Sequence, residues 1–160
     1  NAKIISCYEI ANWYEKKGIA VHPMNYGGSW HFEFGLVRMV AAIHSSVLPD
    51  GTYAGNPTGF VVETEEGNFY FAGDTALTMD MRLIPARTKL NFAFLPIGNN
   101  FTMDYVDACT AAEFVQCKKI IAMHFDTFDY IKVNHNEVIK YFSDRGNEII
   151  MPDIGATLFV

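Results

Sequence analysis

Positive charge, cysteine and long apolar runs are all scarce in this chain. Twelve Lys and Arg stand against 18 Asp and Glu, a formal net charge of −6, and no basic cluster is longer than the pair Lys118 and Lys119. Such a surface repels phosphate backbones, so no nucleic-acid partner is expected. The three cysteines, Cys7, Cys109 and Cys117, form no C-x-x-C pair, and an odd number does not make a closed disulfide framework. They read as small hydrophobes, with Cys109 and Cys117 on one helix, and a reducing cytoplasm is the expected setting. No apolar run approaches the roughly 20 residues needed to cross a bilayer, so no membrane partner is expected either. The chain opens without a signal-peptide pattern and without Met, and "AKIIS" starts like a strand already inside a domain, so an upstream segment is expected. Also lacking are a G-x-S-x-G elbow, a G-x-x-x-x-G-K-[ST] phosphate loop and a G-x-G-x-x-G turn, which removes three common routes to catalysis.

What is present is a core. Half of the 160 residues are apolar, only 19% are charged, and 13 Phe and 8 Tyr promise aromatic packing between layers. No linker or low-complexity tract divides the chain, so residues 1–160 read as a single domain. "AKIIS" and "IAVHP" flank a helical stretch, "CYEIANWYEKKG", that stops at Gly18. "SWHFEFG" and "LVRMVAAI" are strands turning at Gly35, and "GFVVETEEGNFYFAG" is a hairpin. From "LNFAFLPIG" onward, strands alternate with helices. "TMDYVDACTAAEFVQ" starts from Thr102 or Asp104, and "NHNEVIKYFSDRG" from Asn134, with Glu137 at capping-box spacing and Gly146 as its stop. "NEIIMPDIGATLFV" closes the chain as two short strands around a turn. Hairpins first and β-α-β units afterwards predict an α/β fold with a mixed sheet and helices on its faces.

Three ligand-type residues stand at the ends of three of these strands: His44 after "LVRMVAAI", Asp74 after "NFYFAG" and His124 after "KKIIAM". In open α/β sheets functional groups gather beyond the carboxyl ends of strands. Imidazole and carboxylate suit Zn²⁺, Mn²⁺ or Fe²⁺, and a carboxylate can bridge two cations where one neutral imidazole cannot. Asp74 is therefore the natural bridge of a dinuclear site, with Gly73 allowing close backbone approach and the Thr75 hydroxyl a candidate to orient the carboxylate. His22, His31 and His135 have no companion ligand and read as surface or supporting residues. A nucleophile at Ser45 or Ser46 beside His44 is disfavoured, because neighbours on an extended segment face opposite ways.

"AAIHSS", "FYFAGDT", "FAFLPIGNNFTMDYVDA" and "KKIIAMHFDTF", in that order, resemble the metallo-β-lactamase superfamily, and within it the small bacterial and archaeal metal-dependent hydrolases. The resemblance runs over essentially the whole chain. It implies an αβ/βα sandwich, incomplete at its N-terminus, with two divalent metal ions on one rim, zinc first and manganese or iron as alternatives. His44, Asp74 and His124 would be metal ligands, with Asp74 and His124 also catalytic, and Asn99, Asn100 and Thr102 would contact substrate. The implied reaction is hydrolysis of a small-molecule ester, lactone or phosphoester by water activated between the metals. The family's His-x-His-x-Asp-His motif does not occur in the 160 residues, so this chain alone is expected to bind metal poorly. A homo-oligomer or a further N-terminal segment is expected to cover the open face. The alternative is a catalytically incompetent piece serving as a scaffold or assembly module. A nuclease is disfavoured by the acidic composition.

Overall fold

The computed structural model describes residues 2–159. Its strands are β1 (Ile4–Cys7), β2 (Val21–Met24), β3 (Ser29–Phe32), β4 (Gly35–Ala41), β5 (Thr58–Glu63), β6 (Asn68–Phe71), β7 (Phe92–Pro96), β8 (Lys119–Met123) and β9 (Glu148–Ile150). Its α-helices are α1 (Tyr8–Glu15), α2 (Tyr105–Phe114) and α3 (His135–Ser143). Strands β3 to β9 form one seven-stranded sheet in sequence order, while β1 and β2 make a separate parallel pair joined through α1. Pairings from β3 to β6 are antiparallel, and those from β6 to β9 are parallel. The switch follows the connections: short turns join β3 to β4 and β5 to β6, the loop 42–57 joins β4 to β5, and the parallel strands need crossovers long enough to return the chain.

The direction of the strands fixes where function can sit. Strands β4 and β6 both run against β5, so they are parallel to each other, and β7 and β8 share their sense. The carboxyl ends of β4, β6, β7 and β8 therefore open on one rim of the sheet.

Alternation divides each strand between two faces. Val61, Tyr70, Ala93, Leu95, Ile120 and Ala122 form one buried face, with Ala108, Ala111, Ala112, Val138 and Phe142 of α2 and α3 in the same core. The alanines of α2 let that helix lie close to the sheet. Asp104 caps α2 by accepting from the Asp107 N–H, and Asn134 caps α3 by accepting from the N–H groups of Asn136 and Glu137. The opposite face carries a run of phenylalanines, in which Phe69 and Phe92 stack at 5.3 Å and Phe94 meets both Phe71 and Phe92.

Two expectations differ from the structure. Residues 151–159 contain no strand after β9, because a strand needs a partner and residues 153–159 lie exposed outside the sheet. Cys117 lies beyond α2, which ends at Phe114, so the two later cysteines do not share a helix. All three cysteines are free and buried, and burial pushes the Cys109 and Cys117 thiols up, away from nucleophilic use.

The core holds a hydroxyl that no partner satisfies. The Tyr70 side chain is fully buried and its hydroxyl has no hydrogen-bond partner. A buried, unpaired hydroxyl costs free energy that its removal returns. Tyr70→Phe is expected to stabilise the protein by about 1 kcal/mol, read as a higher urea midpoint at unchanged m-value.

Candidate metal centre

Asp74 lies three residues beyond Phe71, the last paired position of β6, after a tight backbone turn. Gly73 takes φ +67°, and a Cβ there would stand 2.9 Å from the Thr58 carbonyl oxygen. Only glycine lets the chain leave β6 this close to β5. His124 follows β8 with φ +53°, a left-handed conformation uncommon for a side chain-bearing residue. That backbone turns its imidazole along the rim, and Nε2 comes to 3.6 Å from Asp74 Oδ2. The side chains are 25% and 46% exposed, so the pair faces solvent over a rigid base.

At 3.6 Å the pair is beyond ordinary hydrogen-bond reach. Two donor atoms each roughly 2.0–2.2 Å from a shared ion stand roughly 3–3.6 Å apart, so the spacing fits two ligands of one metal. The other ring nitrogen, Nδ1, is buried without a partner, so nothing but Nε2 is offered to the rim. An N/O pair of this kind suits zinc and its neighbours in hardness. It is part of a coordination shell: among the described residues no group of three or more His, Cys, Asp or Glu is arranged to hold an ion.

His44 reaches the same rim from β4 but does not touch the pair. Its Nδ1 lies 3.0 Å from the Ser45 carbonyl oxygen and the residue is exposed. The segment carrying it is nonetheless fixed to that carrying Asp74. Thr75 is fully buried, its hydroxyl accepts from the Ile43 N–H at 2.9 Å, and it donates to the Ala76 carbonyl at 2.8 Å. The Ala76 N–H returns a bond to the Ile43 carbonyl at 3.0 Å, and the Thr75 carbonyl accepts from the Met103 N–H at 3.1 Å. Thr75 thus joins the loops after β4, β6 and β7 and does not orient the Asp74 carboxylate. Thr75→Val keeps the volume and orphans the Ile43 N–H, so a loss of about 1–3 kcal/mol is expected in urea unfolding.

Asn99, Asn100 and Thr102 occupy the loop after β7. Asn99 and Asn100 both have positive φ, the Asn99 carbonyl accepts from the Thr102 N–H at 3.3 Å, and the Asn99 N–H donates to the Met103 carbonyl at 3.0 Å. Their backbone is committed to the turn, while Asn99 and Asn100 are exposed. Gly98 passes directly against the His124 carbonyl oxygen, which locks this loop to the next.

Sequence reasoning missed the pair Asp126 and His135, whose carboxylate and ring are hydrogen-bonded across the loop after β8. Burial raises the Asp126 carboxyl, but the bonds from the His135 ring and the Val133 N–H outweigh it and hold it below the usual carboxylate range. Asp126 and His135 lie nine positions apart, one in the loop after β8 and the other at the start of α3, and the backbone at Asp126 is left-handed.

Residues 6–125 match the β-lactamase superfamily domain. The chain is 60% identical over 158 residues to a UPF0173 metal-dependent hydrolase of Flavobacterium johnsoniae, covering 99% of this chain and 70% of that protein. It is 57% identical over 157 residues to one of Christiangramia forsetii, covering 98% and 70% respectively. Among solved structures, Igni18, a metallo hydrolase of the archaeon Ignicoccus hospitalis, superposes with a TM-score of 0.88 at 29% identity, covering 98% of this chain and 68% of its own.

Proposed function

Because the chain belongs to the metallo-β-lactamase superfamily, and within it to the UPF0173 metal-dependent hydrolases, we propose that it provides the Asp74 and His124 half of a dinuclear hydrolase centre. The proposed substrate is a small-molecule ester, lactone or phosphoester. The observation that carries the reading is the 3.6 Å approach of His124 Nε2 to Asp74 Oδ2 on a rim shared by four strand ends.

Bound divalent ions, zinc in the first instance, supply Lewis acidity and lower the pKa of water toward neutrality. On this reading Asp74 Oδ2 and His124 Nε2 hold the ions, and His44 joins them by turning its ring from Ser45. The Asp74 carboxylate has two oxygens to offer and would hold the ions close to the Gly73 turn. Asn99, Asn100 and Thr102 offer amide and hydroxyl groups to the substrate's oxygens from the neighbouring loop. The chain spans about 70% of the length of these relatives.

The test is metal content by plasma mass spectrometry on the full-length protein, followed by hydrolysis of an ester, lactone and phosphodiester panel. About two zinc ions per chain and turnover that stops on chelation are expected. A protein that takes up no metal, or that turns over nothing when metal-loaded, would refute the reading.

A further inference from the structure

Three exposed aromatic rings stand on the same rim. Phe101 is 51% exposed, Phe128 45% and Tyr130 74%, yet Phe101 meets the other two at centroid distances of 6.0 and 6.4 Å. Phe101 comes from the loop after β7, three residues past Gly98. Phe128 and Tyr130 come from the loop after β8, four and six residues past His124.

Neither loop is a free tip. The β7 loop is closed by the Asn99 and Met103 backbone bond and tied on through Met103 to Thr75. The β8 loop is closed by the Asp126 N–H donating to the Ile131 carbonyl at 2.9 Å and by the Ile131 N–H donating to the Phe128 carbonyl at 3.1 Å. Its Ile131 side chain is fully buried, and the Val133 N–H donates to Asp126 Oδ1 at 2.9 Å. Rings exposed on a fixed backbone form a prepared apolar surface, and such a surface beside a candidate site marks recognition.

Charge narrows the occupant. Within residues 125–133 the charged side chains are Asp126, Asp129 and Lys132; Asp129 pairs with Lys132 at 2.6 Å and Asp126 with His135. Both carboxylates of this loop are hydrogen-bonded or ion-paired to partners of their own, and the rings offer faces and edges, which favours a neutral ring by stacked or edge-to-face contact. Three side chains fall well short of the roughly 1,200 Å² that a specific protein interface buries, and a second copy would bring another net charge of −6.

We propose that Phe101, Phe128 and Tyr130 form the specificity surface of this site and select substrates that carry an uncharged aromatic ring next to the scissile bond. The inference rests on the hydrolase reading above for its chemistry and on the three rings for its selectivity.

The experiment compares benzylphosphonate with ethylphosphonate on the full-length protein, by ligand-observed NMR titration, in wild type, Phe101→Ala and Tyr130→Ala. Wild type is expected to bind the benzyl probe about tenfold more tightly, with the benzyl-over-ethyl ratio falling toward one in both variants. Equal affinity for the two probes in wild type, or a ratio unmoved by both substitutions, would overturn the proposal. Because Tyr130 is largely solvent-exposed, its replacement leaves the fold intact and keeps the test open if Phe101→Ala misfolds. The solution mass of each variant is expected to equal that of wild type; a drop in oligomeric order would assign the rings to self-association instead. Benzyl acetate and ethyl acetate, whose alcohols leave with similar ease, separate the two ideas. Equal hydrolysis of both sinks the ring selectivity and keeps the hydrolase, whereas benzyl-selective binding with no turnover of any panel compound sinks the hydrolase and keeps the ring surface.

Discussion

Asp74→Ala is expected to lower kcat/KM by at least roughly 10³-fold, equivalent to roughly 4 kcal/mol of transition-state stabilisation, and to reduce bound metal to one ion or none per chain. The reason is the position of the carboxylate. In the proposed centre the two oxygens of Asp74 would serve both ions, and His124 Nε2 lies 3.6 Å away. The folded state should tolerate the change, because the side chain is nearly half exposed and makes no hydrogen bond that the loop depends on; Thr75, not Asp74, holds the loops together. The expected signature is therefore lost metal and lost turnover at a melting temperature within a few degrees of the wild type in its metal-free form. A variant that keeps two metals and its activity would remove Asp74 from the centre.

Gly98→Ala should produce the opposite pattern, with the fold failing before the chemistry. A Cβ at Gly98 would press into the His124 carbonyl oxygen and stand 2.8 Å from the Ile131 Cβ. The oxygen belongs to the backbone and Ile131 is fully buried, so neither can swing aside. Overpacking of this severity costs about 3 kcal/mol, a fall of roughly 6–12 °C in melting temperature for a domain of this size. The displaced groups are His124 and the loop carrying Phe128 and Tyr130, so metal affinity should fall too. Gly146→Ala is the control: that glycine ends α3 at φ +70° with open space around it, and its replacement should cost only about 1–2 kcal/mol. Equal losses at the two positions would mean that the close approach at Gly98 relaxes at little cost.

Much of the frame could be read from residue order. The hydrophobic runs ending in His44, Asp74 and His124 are strands whose tips share a rim, and Asp104, Asn134 and Gly146 mark the ends of α2 and α3 through local bonds and local angles. Such signals act over three or four residues, which is why they survive without a structure. The rest depends on contacts across loops. Nothing in "GDTALT" says that the Thr75 hydroxyl reaches Ile43, 32 positions earlier. Nothing in "FTMDY" or "DTFDY" says that Phe101 meets Tyr130, since that requires β7 and β8 in register and a left-handed turn at Asp126.

The switch of strand sense at β6 also orders events in time. Strands β3 and β4, and β5 and β6, are hairpin neighbours that pair through short loop closures, and β4 meets β5 across residues 42–57 without a crossover; β7 joins across residues 72–91, and β8 and β9 only after the crossover helices α2 and α3 have formed, which is slower because chain entropy must be lost first. Asp74 belongs to the early half and His124 to the late half. During refolding the two should therefore meet only in the last phase, and metal added at the start should speed nothing before it. Pulse-labelled hydrogen exchange would show this as protection of Phe60 and Val62 amides ahead of Leu95 and Ile121; simultaneous protection would indicate that both halves condense in one step.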